Sequence, residues 1–398
     1  MMMSNRDVFY RYLGLPSTQP LGIEIERGEG IWLYAPDGSR YADLVSGVSV
    51  SNVGHCHPHV VEAVVNQAKR YMHLMVYGEM IQAPQTRLAQ KLTSLLPVNL
   101  DCVYFVNSGS EAIEGAMKLA KRITHRPNIC SFRNAYHGGT QGALSILGCE
   151  SLKSAFRPLL PGIRQLNFNN FSDLQLIDES VACVIVEPIQ AEAGVILPYP
   201  GFLGELRQRC TEMGVLLVFD EIQMGFGRTG KMFAFEKYGI IPDILCLAKA
   251  MGGGMPIGAF VASRERMLSF TFEPVLGHIT TFGGHPVSCA AAIASLEVIE
   301  NEELLMHVER KAAIFRERII SHPLVKEIRQ IGLMMAVDVG TEEFLISIYN
   351  QLLTNHIITD RFLFQPSSFR IAPPLTISDE ECHQMAALVL KSLDEIQI

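Results

Sequence analysis

Apolar and polar positions change period several times along the chain. Residues 21–44 hold short apolar runs cut by Asp37-Gly38, a hairpin dipeptide, and predict short strands joined by turns. Residues 58–72 and 85–96 repeat apolar positions at helical spacing. From about 103 to 262 short apolar runs alternate with helical stretches. The runs are Cys102–Val106, Asn128–Phe132, 181–188, 214–221, 243–248 and 258–263, with helices starting near Ser110 and over 202–213. That rhythm predicts an α/β fold with a mostly parallel, helix-covered sheet, whose sites lie at the carboxyl ends of strands. Further on, 288–321 reads as a long helix with Asn301 as a candidate break. Strand-like pieces at 332–340 and 368–375 and a closing helix at 378–395 suggest a small α+β domain.

Length and composition narrow the function classes. The chain has 398 residues, enough for two domains or for one with an appendage. Apolar residues make up 48% and charged residues 19%, a globular balance. The formal charge of −8, with no Lys/Arg-rich run, argues against nucleic acid as a partner. No apolar run approaches the length of a membrane span, and the first fourteen residues do not read as a secretory signal. Nine dispersed cysteines without a Cys-x-x-Cys pair suit reduced, packed thiols, so the cytoplasm is the expected location.

The polar residues that follow the apolar runs carry the candidate chemistry. Lys249 ends the run 243–248 and precedes Gly252-Gly253-Gly254. A lysine desolvated there has a lowered pKa and suits Schiff-base chemistry; the fragment alone favours a surface lysine after a buried strand. Asp220 is the first charge after 214–219. It either opens a loop or pairs with the ring nitrogen of pyridoxal 5'-phosphate (PLP). Asn107-Ser108-Gly109-Ser110-Glu111 leads from a strand into a helix, either as an ordinary N-cap or as an anion site for a phosphate. Tyr136, followed by His137 and Gly138, is either a packed loop aromatic or a stacking platform. The cluster His55-Cys56-His57-Pro58-His59 is set aside as a metal site, since side chains alternate in extended chain and no second cluster completes it. The glycines 252–254 are no P-loop, because no Gly-Lys-Ser/Thr follows.

Taken together, the segments 219–236 (FDEIQMGFGRTGKMFAFE) and 242–259 (PDILCLAKAMGGGMPIGA) resemble the signature of the class III (ω-amino) PLP-dependent aminotransferases. The resemblance runs from about residue 20 to residue 390. It implies PLP fold type I, with a large PLP-binding domain at 50–295 and a small domain built from 1–49 and 296–398. It implies that Lys249 forms the Schiff base and shuttles a proton, that Asp220 pairs with the pyridinium, and that Gln223 lies near the ring hydroxyl. Gly109 and Ser110 would bind the phosphate, and Tyr136 would stack on the ring with His137 beside it. Thr281 would reach the phosphate of the neighbouring subunit's cofactor, which requires a homodimer.

Within the class, Glu187-Pro188-Ile189-Gln190-Ala191-Glu192 resembles the EPIQGE segment of ornithine and acetylornithine aminotransferases, and places Glu187 with the cofactor-binding residues. Arg370 matches their arginine for a substrate carboxylate, and Glu192 the glutamate that can neutralise it. Such a switch lets one pocket take a dicarboxylate and an amine in turn. The implied reaction is a ping-pong amino transfer from an ω-amine such as ornithine to a keto acid, 2-oxoglutarate being expected. One departure stands out: Gly139 occupies the place of an Arg in the family's H/W-G-R-T loop. It leaves the donor open and keeps an aminomutase, a racemase or a lyase as alternative reactions. Residues 75–85 are expected at the substrate entrance.

Overall fold

The computed structural model describes residues 3–75 and 78–396. Strands β1 (Arg27–Glu29), β2 (Trp32–Tyr34) and β3 (Arg40–Asp43) form an antiparallel meander. Its β2–β3 turn is held by Asp37, whose Oδ1 accepts the N–H of Ser39. This is the hairpin the Asp-Gly pair predicts.

The main sheet contains β4 (Cys102–Val106), β5 (Asn128–Phe132), β6 (Ile163–Leu166), β7 (Val181–Val186), β8 (Leu216–Asp220), β9 (Ile244–Leu247) and β10 (Gly258–Ala262), in the order β4-β10-β9-β8-β7-β5-β6. All pairs from β9 to β6 are parallel, and β10 runs antiparallel to both β9 and β4. The alternation of strands and helices breaks here for a steric reason. Only a short 3₁₀ turn, Lys249–Gly252, separates β9 from β10, and a parallel crossover needs about a dozen residues or more. Successive residues of the central strands bury opposite faces. Val184, Leu217 and Leu245 join one core, while Cys183, Leu216 and Ile244 join the other.

Beyond the sheet, the predicted long helix is two, Pro286–Asn301 and Val308–Ile319, separated at Glu303, which has φ +50°. Strands β11 (Glu327–Ile331), β12 (Met334–Asp338) and β14 (Ser368–Ile371) make a three-stranded antiparallel sheet. The two-residue β13 (Ile357–Ile358) instead pairs in parallel with β3, tying the late chain to the early one. The closing helix spans Asp379–Asp394 and starts with a Ser378 capping box.

Two local features bear on the site. Ser46, Gly47, Val48 and Ser49 have φ of 53°, 57°, 63° and 59°, one complete left-handed turn that includes a β-branched residue. Asp43 Oδ1 accepts the N–H groups of Val45 and Ser46, and Ser46 Oγ donates to the carbonyl of Ala372. The histidines set aside as metal ligands each take a carboxylate: His55 with Asp43 at 2.8 Å, His57 with Glu302 at 3.0 Å and His59 with Glu297 at 2.7 Å. No helix among the described residues is long and apolar enough to cross a membrane.

Candidate active site

A cavity of about 380 Å³ opens at the carboxyl ends of the central strands, within the range that holds a small cofactor and substrate. Asp220 is the last residue of β8 and pairs in register with Cys246 of β9, so Lys249 emerges just past the neighbouring strand end. Both line the cavity. Lys249 sits in the left-handed region at φ +49°, a conformation that costs a bulky residue roughly 1–2 kcal/mol and that clusters at functional sites. Burial lowers its pKa. Glu192 counters that effect, while the Arg370 guanidinium reinforces it.

Asp220 is buried and doubly held. Its Oδ1 accepts the N–H of Ile222 at 3.0 Å, and its Oδ2 lies 2.7 Å from His137 Nδ1. Burial alone would discharge His137, but the hydrogen bond and charge of Asp220 more than reverse this and raise its pKa. His137 is thus a partner of the Asp220 carboxylate. Its Nε2 is buried with no hydrogen bond. Glu187, beside them, accepts the N–H of Tyr136 on Oε1 and of Ala191 on Oε2. Burial raises its pKa to about 7.

The opposite end of the cavity is the start of helix Gly109–Thr124. Ser108 caps it through the N–H of Glu111, and Ser108 O takes the N–H of Ala112. The N–H groups of Gly109 and Ser110 remain for a ligand. A side chain at Gly138 would place its Cβ 2.1 Å from Ser110 Oγ, so this loop must stay bare. Tyr136 lines the cavity between the two ends.

Arg370 and Glu192 stand behind the cavity wall. They are joined at 2.7 Å, and Gln223 Nε2 donates to the same Glu192 oxygen at 3.1 Å. Arg370 is fully buried, stacks over Phe362 at 4.5 Å, and keeps Nε and Nη1 without a partner. Thr281 is exposed and away from this cavity. Gly139 faces open space. Of the segment 75–85, Val76 and Tyr77 lie outside the described residues. Sequence reasoning missed the apolar wall of Val50, Ile189, Met224 and Met255. Only their neighbourhood to the motif residues signalled them.

A lysine and an aspartate at adjacent strand ends, opposite a helix N-terminus, define a PLP enzyme of fold type I. The model of the class-III aminotransferases matches residues 14–393, and the chain belongs to that family. It is 40% identical over 376 residues to the acetylornithine aminotransferase of Methanopyrus kandleri, covering 93% of this chain and 94% of that one. The ornithine aminotransferase of Toxoplasma gondii superposes with a TM-score of 0.90 at 31% identity, over 97% and 92% of the two chains. An ω-transaminase of Pseudomonas jessenii, solved with PMP, gives 0.92 at 26% identity, over 99% and 98%. The protein is a PLP-dependent transaminase acting on a small amino donor and a keto acid. Its own residues suit the cofactor: unclaimed N–H groups and a bare loop at one end, a fixed carboxylate at the other, and a desolvated lysine between.

Proposed function

We propose that the chain transfers an amino group from an ω-amine, ornithine or a related amino acid, to 2-oxoglutarate, taking the two substrates in turn. The observation that carries this reading is the buried Arg370–Glu192 pair, whose charges act on Lys249, with the guanidinium's Nε and Nη1 left without a partner. When bound, PLP supplies an electron sink that weakens the bonds at the substrate's amine-bearing carbon. Lys249 would hold the cofactor through Nζ, and the same Nζ would move a proton at that carbon. Its lowered pKa leaves more of the neutral amine that both tasks need. Asp220, fixed by His137 and Ile222, would face the ring nitrogen. Gln223 would serve the ring hydroxyl, Tyr136 would stack on the ring, and Gly109 and Ser110 would hold the phosphate. Glu187 orients the Tyr136 loop.

Arg370 takes the α-carboxylate of the acid substrate when Glu192 swings away, and Glu192 neutralises it when an amine occupies the pocket. Thr281 has no task in its own cavity, which supports its service to the partner's phosphate in a homodimer with shared sites. The main sheet falls within 50–295, and β1–β3 join β13, which supports a large domain at 50–295 and a small one from 1–49 and 296–398. Nine free thiols support a cytoplasmic location.

The test is a half-reaction screen. The protein is reconstituted with PLP, and its visible absorption band is followed while ornithine, N-acetylornithine, lysine, 4-aminobutyrate, β-alanine and glutamate are added singly. Loss of the band with an ω-amine and its return with 2-oxoglutarate support the reading. A band that no amine discharges would reopen the reaction class, beginning with lyases and mutases.

A further inference from the structure

Segment 268–284 lies along β4 and the helix Gly109–Thr124, fastened by a row of side chains. Arg122 Nε donates to Ser269 O at 3.2 Å, Lys118 Nζ to Gly277 O at 3.3 Å, and the Tyr104 hydroxyl to His278 O. Gln85 Nε2 closes the far end on Gly284 O at 2.7 Å. The last contact of the row belongs to the cofactor cavity. Asn107 lines that cavity, immediately before the phosphate loop. Its Nδ2 donates to Glu111 Oε2 at 2.9 Å and to Thr280 Oγ1 at 2.8 Å. Its own N–H also takes Glu111 Oε2, at 2.7 Å. The next residue after Thr280 is the exposed Thr281.

We propose that the Asn107–Thr280 hydrogen bond couples the two cofactor sites of the dimer, so that PLP bound in one subunit strengthens PLP binding in the other. This rests on the proposed sharing of sites through Thr281. A phosphate on Gly109 and Ser110 fixes the loop that carries Asn107. Asn107 then fixes Thr280, and with it the adjoining Thr281 that serves the partner's phosphate. Coupling of binding energies is reciprocal, so each site favours the other. One neutral hydrogen bond sets the scale. The second cofactor binds roughly two- to tenfold tighter than the first.

The experiment is a calorimetric and absorbance titration of the apo-dimer with PLP, with the dimer verified by light scattering. Wild type is expected to bind with a Hill coefficient above one. Thr280→Val, which keeps shape and loses the acceptor, is expected to bind without cooperativity, and Thr280→Ser to restore it. A non-cooperative wild type overturns the proposal whatever the variants do, as does undiminished cooperativity in Thr280→Val. Thr281→Ala separates the two layers. If it leaves PLP affinity unchanged, or if the protein is a monomer, the sharing of sites is wrong and the coupling falls with it. If it weakens affinity while wild type binds non-cooperatively, sharing stands and only the coupling is wrong.

Discussion

Arg370 Nη2 and Glu192 Oε1 meet at 2.7 Å in a setting where both side chains are buried, and Gln223, itself on the cavity wall, donates to the same oxygen. Burial would raise the pKa of Glu192, but the guanidinium's charge and hydrogen bond, with help from Gln223 and Lys249, reverse this and lower it. In the proposed exchange a substrate carboxylate takes the unpartnered Nε and Nη1 of Arg370 and parts the guanidinium from Glu192. Arg370→Ala is expected to raise the KM for glutamate on the order of 10- to 100-fold, the loss of a charge-assisted pair of about 1.5–3 kcal/mol. Glu192→Gln should act oppositely, lowering the glutamate KM and raising that of the ω-amine. Steady-state kinetics on both substrates read the two effects. An unchanged glutamate KM in Arg370→Ala would put the carboxylate elsewhere.

Lys249→Ala removes the covalent tie and the proton carrier together. PLP should still bind through the phosphate loop and Asp220, without the absorbance of the lysine-bound cofactor. Transamination should fall by several orders of magnitude, since general acid–base help alone contributes roughly 10²–10⁴-fold. Single-turnover rates measure this, and near-normal turnover would refute the role of Lys249.

Gly139 has no atom within 4 Å of the place where its Cβ would stand, and its φ lies outside the left-handed region. A Cβ is therefore sterically accepted there. Gly139→Arg is expected to fold normally and to raise kcat/KM about tenfold for ω-amines bearing an α-carboxylate, such as N-acetylornithine. Equal specificity constants before and after would mean that this loop does not face the donor.

Glu221 points away from the cavity and accepts the N–H groups of Ala234 and Phe235 at 2.7 and 2.6 Å. Burial raises its pKa from 4.5 to about 8. The folded state then holds the proton more tightly than the unfolded chain. The resulting stability is present at acid pH and lost as pH climbs through about 8. Glu187, raised to about 7, acts in the same sense. Lys249, with a lowered pKa, acts in the opposite one, so the comparison must be between variants. Apo Glu221→Gln should gain stability relative to wild type as pH rises from about 4.5 to about 8, by a few kcal/mol at most. Parallel urea midpoints across that range would show that Glu221 titrates like a free carboxylate.

The sheet was legible because its strands are buried on both faces and read as unbroken apolar runs. β6, with the sequence IRQL at the sheet edge, has no such run and passed unread. The same holds for helix Asn5–Tyr12, which buries none of its residues. Lys249 and Asp220 were readable from their places after apolar runs, because those places are strand ends. Arg370 and Glu192 lie 178 positions apart, and no spacing rule joins them; their pairing came with the resemblance alone. The His137–Asp220 contact was not foreseen, because local sequence does not say which way a loop histidine turns.

The left-handed turn Ser46–Ser49 ties the two ends of the chain together. Four residues in that region cost several kcal/mol together, at roughly 1–2 each for those with a Cβ, against which the turn itself sets the backbone bonds of Ser49 to Val45 O and of Val50 and Ser51 to Ser46 O. Its anchors are Asp43 and the backbone of Ala372, which accepts from Ser46 and donates to Leu44. Val50, directly after the turn, is a wall of the cavity. The turn therefore joins the early chain to residue 372, so the local Asp43 anchor is completed by a contact from the far end of the sequence. A wall of the cavity near the start of the chain is thus held in place by the backbone just past β14, near its end, although among the described residues none beyond Ile257 lines the cavity itself.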